Sequence, residues 1–218
     1  MTTKTARGFE TRQGILAVAA SIASVEGLSG LTLGRLATKL SMSKSGLFAH
    51  FGSKEELQLA TIEHARRMYV EQVILPGLDH SRGIPRLYGL CDEYVALMER
   101  AVFPGGCFFA AAMADFDDRP GPVRDRIAEA QRQWLDVLEQ TAREAIETGE
   151  LQARTDPAQL GFELEAAMLS SNWYYHLYGN PEFFRRARLA VQATLEAAAT
   201  AKGRRALEAR LDPASRGG

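Results

Sequence analysis

The sequence has few of the residues from which catalytic and metal sites are usually built. It contains two cysteines and four histidines, and neither type forms the close pairs of a zinc site or a disulfide framework. A serine–histidine–aspartate pattern, a phosphate-binding loop and a dinucleotide-binding glycine pattern are also missing from the sequence. We therefore expect no metal, no cofactor and no catalytic residues, and Cys91 and Cys107 favour a reducing compartment.

Long apolar runs are missing as well. No segment reaches the ~20 apolar residues that a helix needs to cross a bilayer. The run Ile15–Val25 follows Arg12 and so resembles the apolar part of a signal peptide. However, Glu10 precedes it, and its apolar residues recur with helical spacing inside a longer motif. We therefore expect a cytoplasmic protein.

Charge is distributed unevenly along the chain. The whole sequence has a net charge of −1, but residues 1–54 contain seven basic and two acidic residues, so that +5 at the start is balanced by −6 in the rest. A basic N-terminal region indicates contact with a polyanion, although chance clustering explains the pattern equally well. The basic residues are Lys4, Arg7, Arg12, Arg35, Lys39, Lys44 and Lys54.

The sequence predicts an all-α fold. Apolar residues recur every three or four positions throughout, without an alternating strand pattern flanked by turn signals. We expect the first ten residues and residues 200–218, which are polar, to be mobile. Caps and breaks predict about nine helices, over residues 11–25, 33–40, 44–50, 53–74, 85–100, 107–116, 122–148, 157–178 and 181–199.

The second and third predicted helices form a helix-turn-helix pattern. In such a unit the first helix crosses the DNA backbone and the second lies in the major groove. Thr32 and Ser43 are suitable N-caps, and Ser53 with Glu56 forms a capping box in which the carboxylate reaches back to the cap. We expect Leu47, Phe48 and Phe51 to anchor the second helix. Its outward residues are small or polar: Lys44, Ser45, Gly46 and Ala49.

The stretch TLGRLATKLSMSKSGLFAHFGSKEEL, which begins at Thr32, closely resembles the DNA-binding signature of the TetR family. The likeness extends from about Arg12 to Ile62. The family commonly has a tyrosine where this chain has Phe48, and its hydroxyl would donate to a DNA phosphate. The family often has Thr or Ala in place of Gly46, and a glycine there cannot read a base edge with a side chain.

The resemblance implies roles for individual residues. Lys44, Ser45 and Gly46 would face bases, and Ala49 could touch a thymine methyl group. Phosphate contacts are implied for four residues near the ends of the helices, namely Thr32, Ser43, His50 and Lys54. Each of these four has a structural alternative: a cap for Thr32 and Ser43, packing for His50, and a solvated surface position for Lys54. The predicted DNA-binding set is Thr32, Ser43, Lys44, Ser45, Gly46, Phe48, Ala49, His50 and Lys54.

The two long predicted helices over residues 157–178 and 181–199 carry apolar stripes. The resemblance implies that the matching helices of two protomers form a four-helix homodimer interface, although the stripes alone fit a monomeric core equally well. Two DNA-binding heads about 34–36 Å apart would read a palindrome. The predicted interface is Phe162, Ala166, Leu169, Trp173, Phe184, Val191 and Leu195, and the first stripe continues to Leu177.

The resemblance also implies a site for a small-molecule effector among the middle helices. Large apolar side chains are abundant there and could line a cavity, but most such residues are ordinary core. The candidates are Met68, Tyr94, Met98, Phe103, Phe108, Met113, Phe116, Trp134, Met168 and Trp173.

Together these patterns predict a non-enzymatic transcriptional regulator, a repressor that an effector releases from a palindromic operator. The expected domains are a helix-turn-helix domain over residues 1–54, an effector-binding and dimerisation domain over residues 55–200, and a tail over residues 201–218. The predicted helix over residues 53–74 alone would join head to body and transmit the change. The alternatives are a helical enzyme with an incidental helix-turn-helix, and an interaction module that has lost DNA binding, which Phe48 and Gly46 favour.

Overall fold

The computed structural model describes the backbone of residues 2–212, and the side chains of residue 8 and residues 10–212. The side chains of Lys4 and Arg7, and residues 213–218 of the expected tail, lie outside this described part. Within it, the regular structure is helical, which confirms the all-α prediction. None of its helices has the length and apolar content to span a lipid bilayer.

The described residues contain eleven α-helices and one π-helical turn. The π-helical turn is Val70–Ile74, between the fourth and fifth helices. The α-helices are α1 (Thr2–Glu26), α2 (Leu33–Leu40), α3 (Lys44–Phe48), α4 (Lys54–Tyr69), α5 (Leu75–Leu78), α6 (Ile84–Glu99), α7 (Phe108–Phe116), α8 (Pro122–Glu147), α9 (Pro157–Tyr178), α10 (Glu182–Ala198) and α11 (Ala201–Leu211).

The chain divides into two compact units. The first unit comprises Met1–Tyr69 and Ala101–Gln131, and the second comprises Val70–Arg100 and Arg132–Gly218. In the first unit α1 packs against α2, α4 and α7. In the second unit α6 packs against α9, α10 and α11. The segment that contains α7 therefore belongs to the same unit as the helix-turn-helix.

The first helix is longer than predicted. It begins at Thr2 and not at Thr11, so the expectation of a mobile segment over the first ten residues is wrong. Lysine, alanine, arginine and glutamate among those residues favour a helix. Gly8 and Gly14 each cost only about 1 kcal/mol relative to alanine in a helix interior, which does not interrupt a helix of this length.

The helix predicted over residues 53–74 takes a different course. It changes to π-helical geometry at Val70, and α5 then continues across Pro76 and Gly77, where an end was expected. Proline is tolerated because the first turn of a helix has amides without intrahelical partners. Gly77 is required by packing, since an added Cβ would lie 2.8 Å from the Cα of Leu90 on α6.

The expected C-terminal tail forms a docked helix, which corrects the prediction for residues 201–212. Thr200 caps α11 by accepting a hydrogen bond from the amide of Gly203 at 3.2 Å. Gly203 and Leu207 are buried, because α11 packs against α6. Arg210 extends from α11 to the Asp92 carboxylate at 3.6 Å. A polar and glycine-containing segment was expected to fray, but its few apolar positions are sufficient to hold it on the second unit.

Candidate nucleic-acid interface

The helix-turn-helix is built by the caps that the sequence predicts. Thr32 Oγ1 accepts from the amide of Arg35 at 3.2 Å, and Ser43 Oγ accepts from the amide of Gly46 at 3.0 Å. Ser41 ends α2 in the left-handed conformation with a φ of 53°. These caps satisfy amides that a helix start leaves without partners, and they fix two short helices with a tight turn between them.

One side of α3 is anchored in the core and the other faces outward. Leu47 and Phe51 are fully buried, as predicted. Phe48 is 52% exposed, so its assignment to the anchor is wrong. The helix ends at Phe48 and not at His50. Phe48 follows exposed Lys44 by four residues and so lies on the same outward face of the helix.

The predicted DNA-binding residues form an accessible surface on α2, α3 and the start of α4. Thr32, Gly46 and His50 are half-buried, and the His50 ring lies 6.4 Å from the ring of Phe51. The Cε atom of Lys44 passes beside Gly34 of α2, where an added Cβ would lie 3.6 Å away. The exposed members are Ser43, Lys44, Ser45, Phe48, Ala49 and Lys54.

The start of α4 differs in detail from the predicted capping box. Ser53 Oγ accepts from the amide of Glu56 at 3.0 Å, as expected. The Glu56 carboxylate reaches past Ser53 and accepts from the amide of Gly52 at 2.9 Å, which corrects the predicted partner. Lys54 donates to the backbone carbonyl of Ser29 at 2.5 Å. The first turn of α4 therefore holds both the segment that follows α3 and the turn before α2.

A second element reaches the helix-turn-helix from the middle of the chain. The amide of Gly105 donates to Ser24 Oγ of α1 at 3.0 Å. On α7, the Asp115 carboxylate accepts two hydrogen bonds from Ser29, which lies 86 residues earlier. The expectation that the helix beginning at residue 53 alone joins head to body is therefore wrong. Sequence patterns gave no signal for Asp115, because the contact is not local.

The ten effector-pocket candidates separate into several environments. Met113 and Phe116 line an apolar cleft of about 220 Å³ in the first unit. Phe103 and Phe108 are core residues of that unit, with ring centroids 5.9 Å apart. Met68 is half-buried on α4 of the same unit. The cleft also has lining residues that were not predicted: Asp117, Arg124, Ile127, Ala128 and Gln131.

The remaining candidates lie in the second unit. Tyr94 stacks on Trp134 with ring centroids 6.1 Å apart, and Trp134 Nε1 donates to the buried carboxylate of Glu165 at 2.7 Å. The other two buried candidates there are Met98 and Met168. Trp173 is 52% exposed, which corrects its assignment to an internal pocket. Glu165 was not predicted, since a lone glutamate on a long helix gives no pattern.

The predicted dimer surface is only partly accessible. Phe162, Ala166 and Trp173 of α9 are exposed, with Phe162 at 63%, and Leu169 is half-buried. The α10 members Phe184, Val191 and Leu195 are buried within the protomer and cannot meet a partner, so this part of the prediction is wrong. Leu177, at the end of the predicted stripe, is also exposed, and exposed apolar residues that the prediction omitted are Tyr174, Tyr178 and Leu189.

Two known protein families match successive segments of the chain. The family described as "Bacterial regulatory proteins, tetR family" matches residues 15–61, which contain the helix-turn-helix. The family described as "Tetracyclin repressor-like, C-terminal domain" matches residues 83–191. The chain is also 28% identical over 152 residues to the HTH-type transcriptional regulator SrpR of Pseudomonas putida, which covers 69% of this chain and 68% of that protein.

Solved structures share the fold. A TetR transcriptional regulator from Chloroflexus aurantiacus superposes with a TM-score of 0.82 at 22% identity, over 88% of this chain and 98% of its own. AibR, solved in complex with isovaleryl coenzyme A and operator DNA, has a TM-score of 0.65 at 22% identity, over 84% and 96% of the two chains. The family consists of transcriptional regulators and not of enzymes, which confirms the predicted class. The chain is a member of the TetR family of DNA-binding transcriptional regulators.

Proposed function

We propose that the chain acts as a homodimeric repressor that binds a palindromic operator and leaves it when a small-molecule effector binds. The observation that carries this proposal is the surface of α3. Lys44, Ser45 and Ala49 are exposed on one side of a capped five-residue helix, while Leu47 and Phe51 hold its other side in the core. A short helix with small and polar outward residues fits the major groove.

The proposed contacts divide into two kinds. Lys44, Ser45 and the backbone at Gly46 face base edges, and Ala49 meets a thymine methyl group. Phosphate contacts come from Thr32, Ser43, His50 and Lys54, and the exposed ring of Phe48 packs against the sugar-phosphate backbone.

Lys54 already has a hydrogen-bond partner within the protein, the carbonyl of Ser29. An ammonium group has three donors, and its bond to the carbonyl of Ser29 leaves two for phosphate oxygens. The first turn of α4 also contains Glu55 and Glu56, whose negative charges offset the attraction of a helix N-terminus for an anion. We therefore assign the phosphate contact to the ammonium group and not to the backbone amides of α4.

The proposed dimer forms through the exposed stripe of α9. Phe162 and Leu177 are 63% and 71% exposed, and Trp173 lies between them on the same face. Such a continuous apolar face on a single protomer is typical of a protein–protein interface. Two copies would present two α3 helices to successive turns of the major groove, about 34–36 Å apart.

The proposed effector site is the cleft between α7 and α8. Its lining combines the apolar side chains of Met113, Phe116 and Ile127 with the polar side chains of Arg124 and Gln131. A cleft of about 220 Å³ is below the usual range for drug-sized ligands, so it suits a small apolar molecule or one end of a larger one. The effector must bind the released conformation more tightly than the DNA-competent one.

Selection of DNA from a random duplex library with the purified chain tests this proposal. We expect recovery of one palindromic motif whose half-sites are centred about 10–10.5 base pairs, or a multiple of this, apart. Sedimentation of the complex should give two protomers for each duplex. Recovery of no common motif, or of a motif bound by a single protomer, would contradict it.

A further inference from the structure

We infer that Asp115 is a positioning residue for operator recognition: its carboxylate fixes the turn before α2 and thereby passes the state of α7 to the helix-turn-helix. The inference rests on the proposed function, because it assumes that α3 reads the operator. It adds the contact through which an occupant of the α7–α8 cleft would act on DNA binding. The contact lies within the first unit.

Both oxygens of Asp115 are engaged by one residue of the turn. The amide of Ser29 donates to Oδ2 at 2.6 Å, and the hydroxyl of Ser29 donates to Oδ1 at 2.8 Å. Hydrogen bonds to a charged acceptor are about twice as strong as neutral ones, and two of them in parallel also fix the orientation. Arg119, one turn later on the chain, lies 3.4 Å from Oδ1 and keeps the carboxylate in place.

The turn is shaped to receive this carboxylate. Gly27 has a φ of +78°, and an added Cβ there would lie 2.9 Å from Asp115 Oδ2. A side chain at this position would therefore be strained in its own backbone and would also crowd the carboxylate. The left-handed glycine ends α1 and leaves space for Asp115 to approach the backbone of the turn.

The same turn is held from a second side by α4. Lys54 donates to the carbonyl of Ser29 at 2.5 Å, and the amide group of Gln58 donates to the carbonyl of Leu28 at 2.8 Å. Gln58 and Leu28 are buried. Because the turn continues directly into the Thr32 cap of α2, its position determines where α2 and α3 begin. A displacement of α7 would therefore move the beginning of α2. Because the turn is held rigidly, the displacement would continue to α3.

The opposite side of α7 faces the proposed effector cleft. Met113 and Phe116 line the cleft, whereas Asp115 between them contacts Ser29. An occupant that displaces α7 from α8 would therefore also pull on the Asp115–Ser29 contact. This gives the cleft a direct connection to the recognition helix through a single nine-residue helix.

The inference is tested with four variants: Asp115→Asn, Ser29→Ala, the double variant, and Asp118→Asn as a matched control. The Asp118 side chain is 86% exposed on the same segment. The probe is the duplex that the wild-type protein selects, compared with a scrambled duplex. We expect Asp115→Asn to weaken binding to the selected duplex about tenfold and to leave the scrambled duplex and the salt slope unchanged. The double variant should lose less affinity than the sum of the two single variants, since both substitutions act on the same pair of hydrogen bonds.

A purely structural role would lower the melting temperature without changing the ratio of specific to scrambled binding. Wild-type specificity in Asp115→Asn, or an equal loss in Asp118→Asn, would overturn the inference. Amide hydrogen exchange provides a readout without DNA: Asp115→Asn should accelerate exchange in the turn and in α2, and Asp118→Asn should not. If the wild-type protein selects no duplex, the proposed function fails, and unchanged exchange in Asp115→Asn would overturn the positioning role independently.

Discussion

Lys44 and Lys54 carry the same charge but are proposed to meet DNA in different ways. Lys44 is on α3, where a side chain can reach a base edge in the major groove. Lys54 begins α4 and donates to the carbonyl of Ser29, which keeps its ammonium group beside the helix-turn-helix and near the expected path of a phosphate strand. Base contacts determine which sequence is bound, whereas phosphate contacts determine how tightly any duplex is bound.

Alanine substitutions at these two lysines separate the roles. Lys44→Ala should weaken binding by about 1–3 kcal/mol and relax the base preference at one position of each half-site. Lys54→Ala should weaken binding to selected and scrambled duplexes and reduce the salt slope by about one. Because Lys54 also holds the turn at Ser29, some specific affinity should be lost as well, but without a relaxed preference at a single base position. The matched control is Lys202→Ala, because Lys202 of the second unit also donates to a backbone carbonyl, at 2.6 Å. The same relaxed base preference in Lys54→Ala as in Lys44→Ala, or an unchanged salt slope in Lys54→Ala, would refute the assignment.

Glu63 of α4 makes one side of the first unit sensitive to acid. It accepts hydrogen bonds from Arg66 on its own helix and from Arg126 of α8. The bond from Arg66, joined by that from Arg126, lowers the pKa of this carboxyl to about 2 from its usual 4.5. Because the folded-state pKa is depressed, the stabilisation is present above about pH 4.5 and is lost as the pH falls towards 2.

Glu63→Gln should therefore be less stable than the wild-type protein at neutral pH, with a difference that disappears between about pH 4.5 and pH 2. The side chain is 31% exposed, so solvent screening limits the expected loss to about 1 kcal/mol or less. Denaturant unfolding at several pH values measures the difference. In an Arg66→Met background the difference should shrink, and a difference that is independent of pH would contradict this account.

At the scale of elements, the glycines in helices have two opposite roles. Gly14 lies in the interior of α1, where an added Cβ would have no atom within 4 Å. Gly203 lies at the start of α11, where an added Cβ would lie 2.1 Å from the backbone carbonyl oxygen of Glu150. The first glycine only weakens its helix, whereas the second lets α11 approach the backbone of a neighbouring segment.

Alanine substitutions at Gly14 and Gly203 should change the free energy of unfolding in opposite directions. Gly14→Ala is expected to raise the free energy of unfolding by about 0.5–1 kcal/mol, because alanine is the better helix former and the position is open. Gly203→Ala is expected to lower it, since the clash with Glu150 forces α11 away from α6. Thermal unfolding of the two variants checks the pair. An equally stable Gly203→Ala variant would show that α11 is not needed for the stability of the second unit.

The exposed face of α9 determines the proposed dimer. Leu177→Glu places a carboxylate in the most exposed position of the apolar stripe, which is costly in a dimer contact unless the charge finds a partner. We expect this variant to sediment as a folded monomer and to lose most operator affinity. Val25→Glu is the matched control, because Val25 is a 62% exposed apolar residue on α1, outside the stripe. A dimeric Leu177→Glu variant would exclude α9 from the interface.

The sequence predicted helix boundaries well where neighbouring residues alone determine them. The caps at Thr32, Ser43 and Ser53 are present in the structure, because a cap involves only neighbouring residues. The apolar stripe on α10 was predicted correctly. Periodicity does not determine, however, whether a helix of the same protomer or a second protomer covers it. The covering surface lies within the protomer, since α10 packs against α6 and α9.

At the scale of the whole molecule, the fold class and the recognition segment were predictable, and the connections between distant segments were not. The signature between Thr32 and Lys54 is continuous in sequence, so local sequence signals are sufficient to predict its two helices and the turn between them. Asp115 and Ser29 are 86 residues apart, and Trp134 and Glu165 are 31 apart. Such contacts depend on how helices pack, which the hydrophobic pattern of each helix alone does not specify.

If α3 lies along base edges in the major groove, a DNA-cleaving probe tethered to α3 will cut the operator where the helix lies. A cleavage reagent attached at Ser45→Cys should cut both strands within each half-site of the selected operator, and the same reagent at Lys202→Cys should not. The native thiols should not compete, because Cys91 and Cys107 are buried and burial raises the pKa of Cys91. Cuts confined to the half-sites are the predicted result; cuts at random positions, or the same pattern from both tethers, would contradict it.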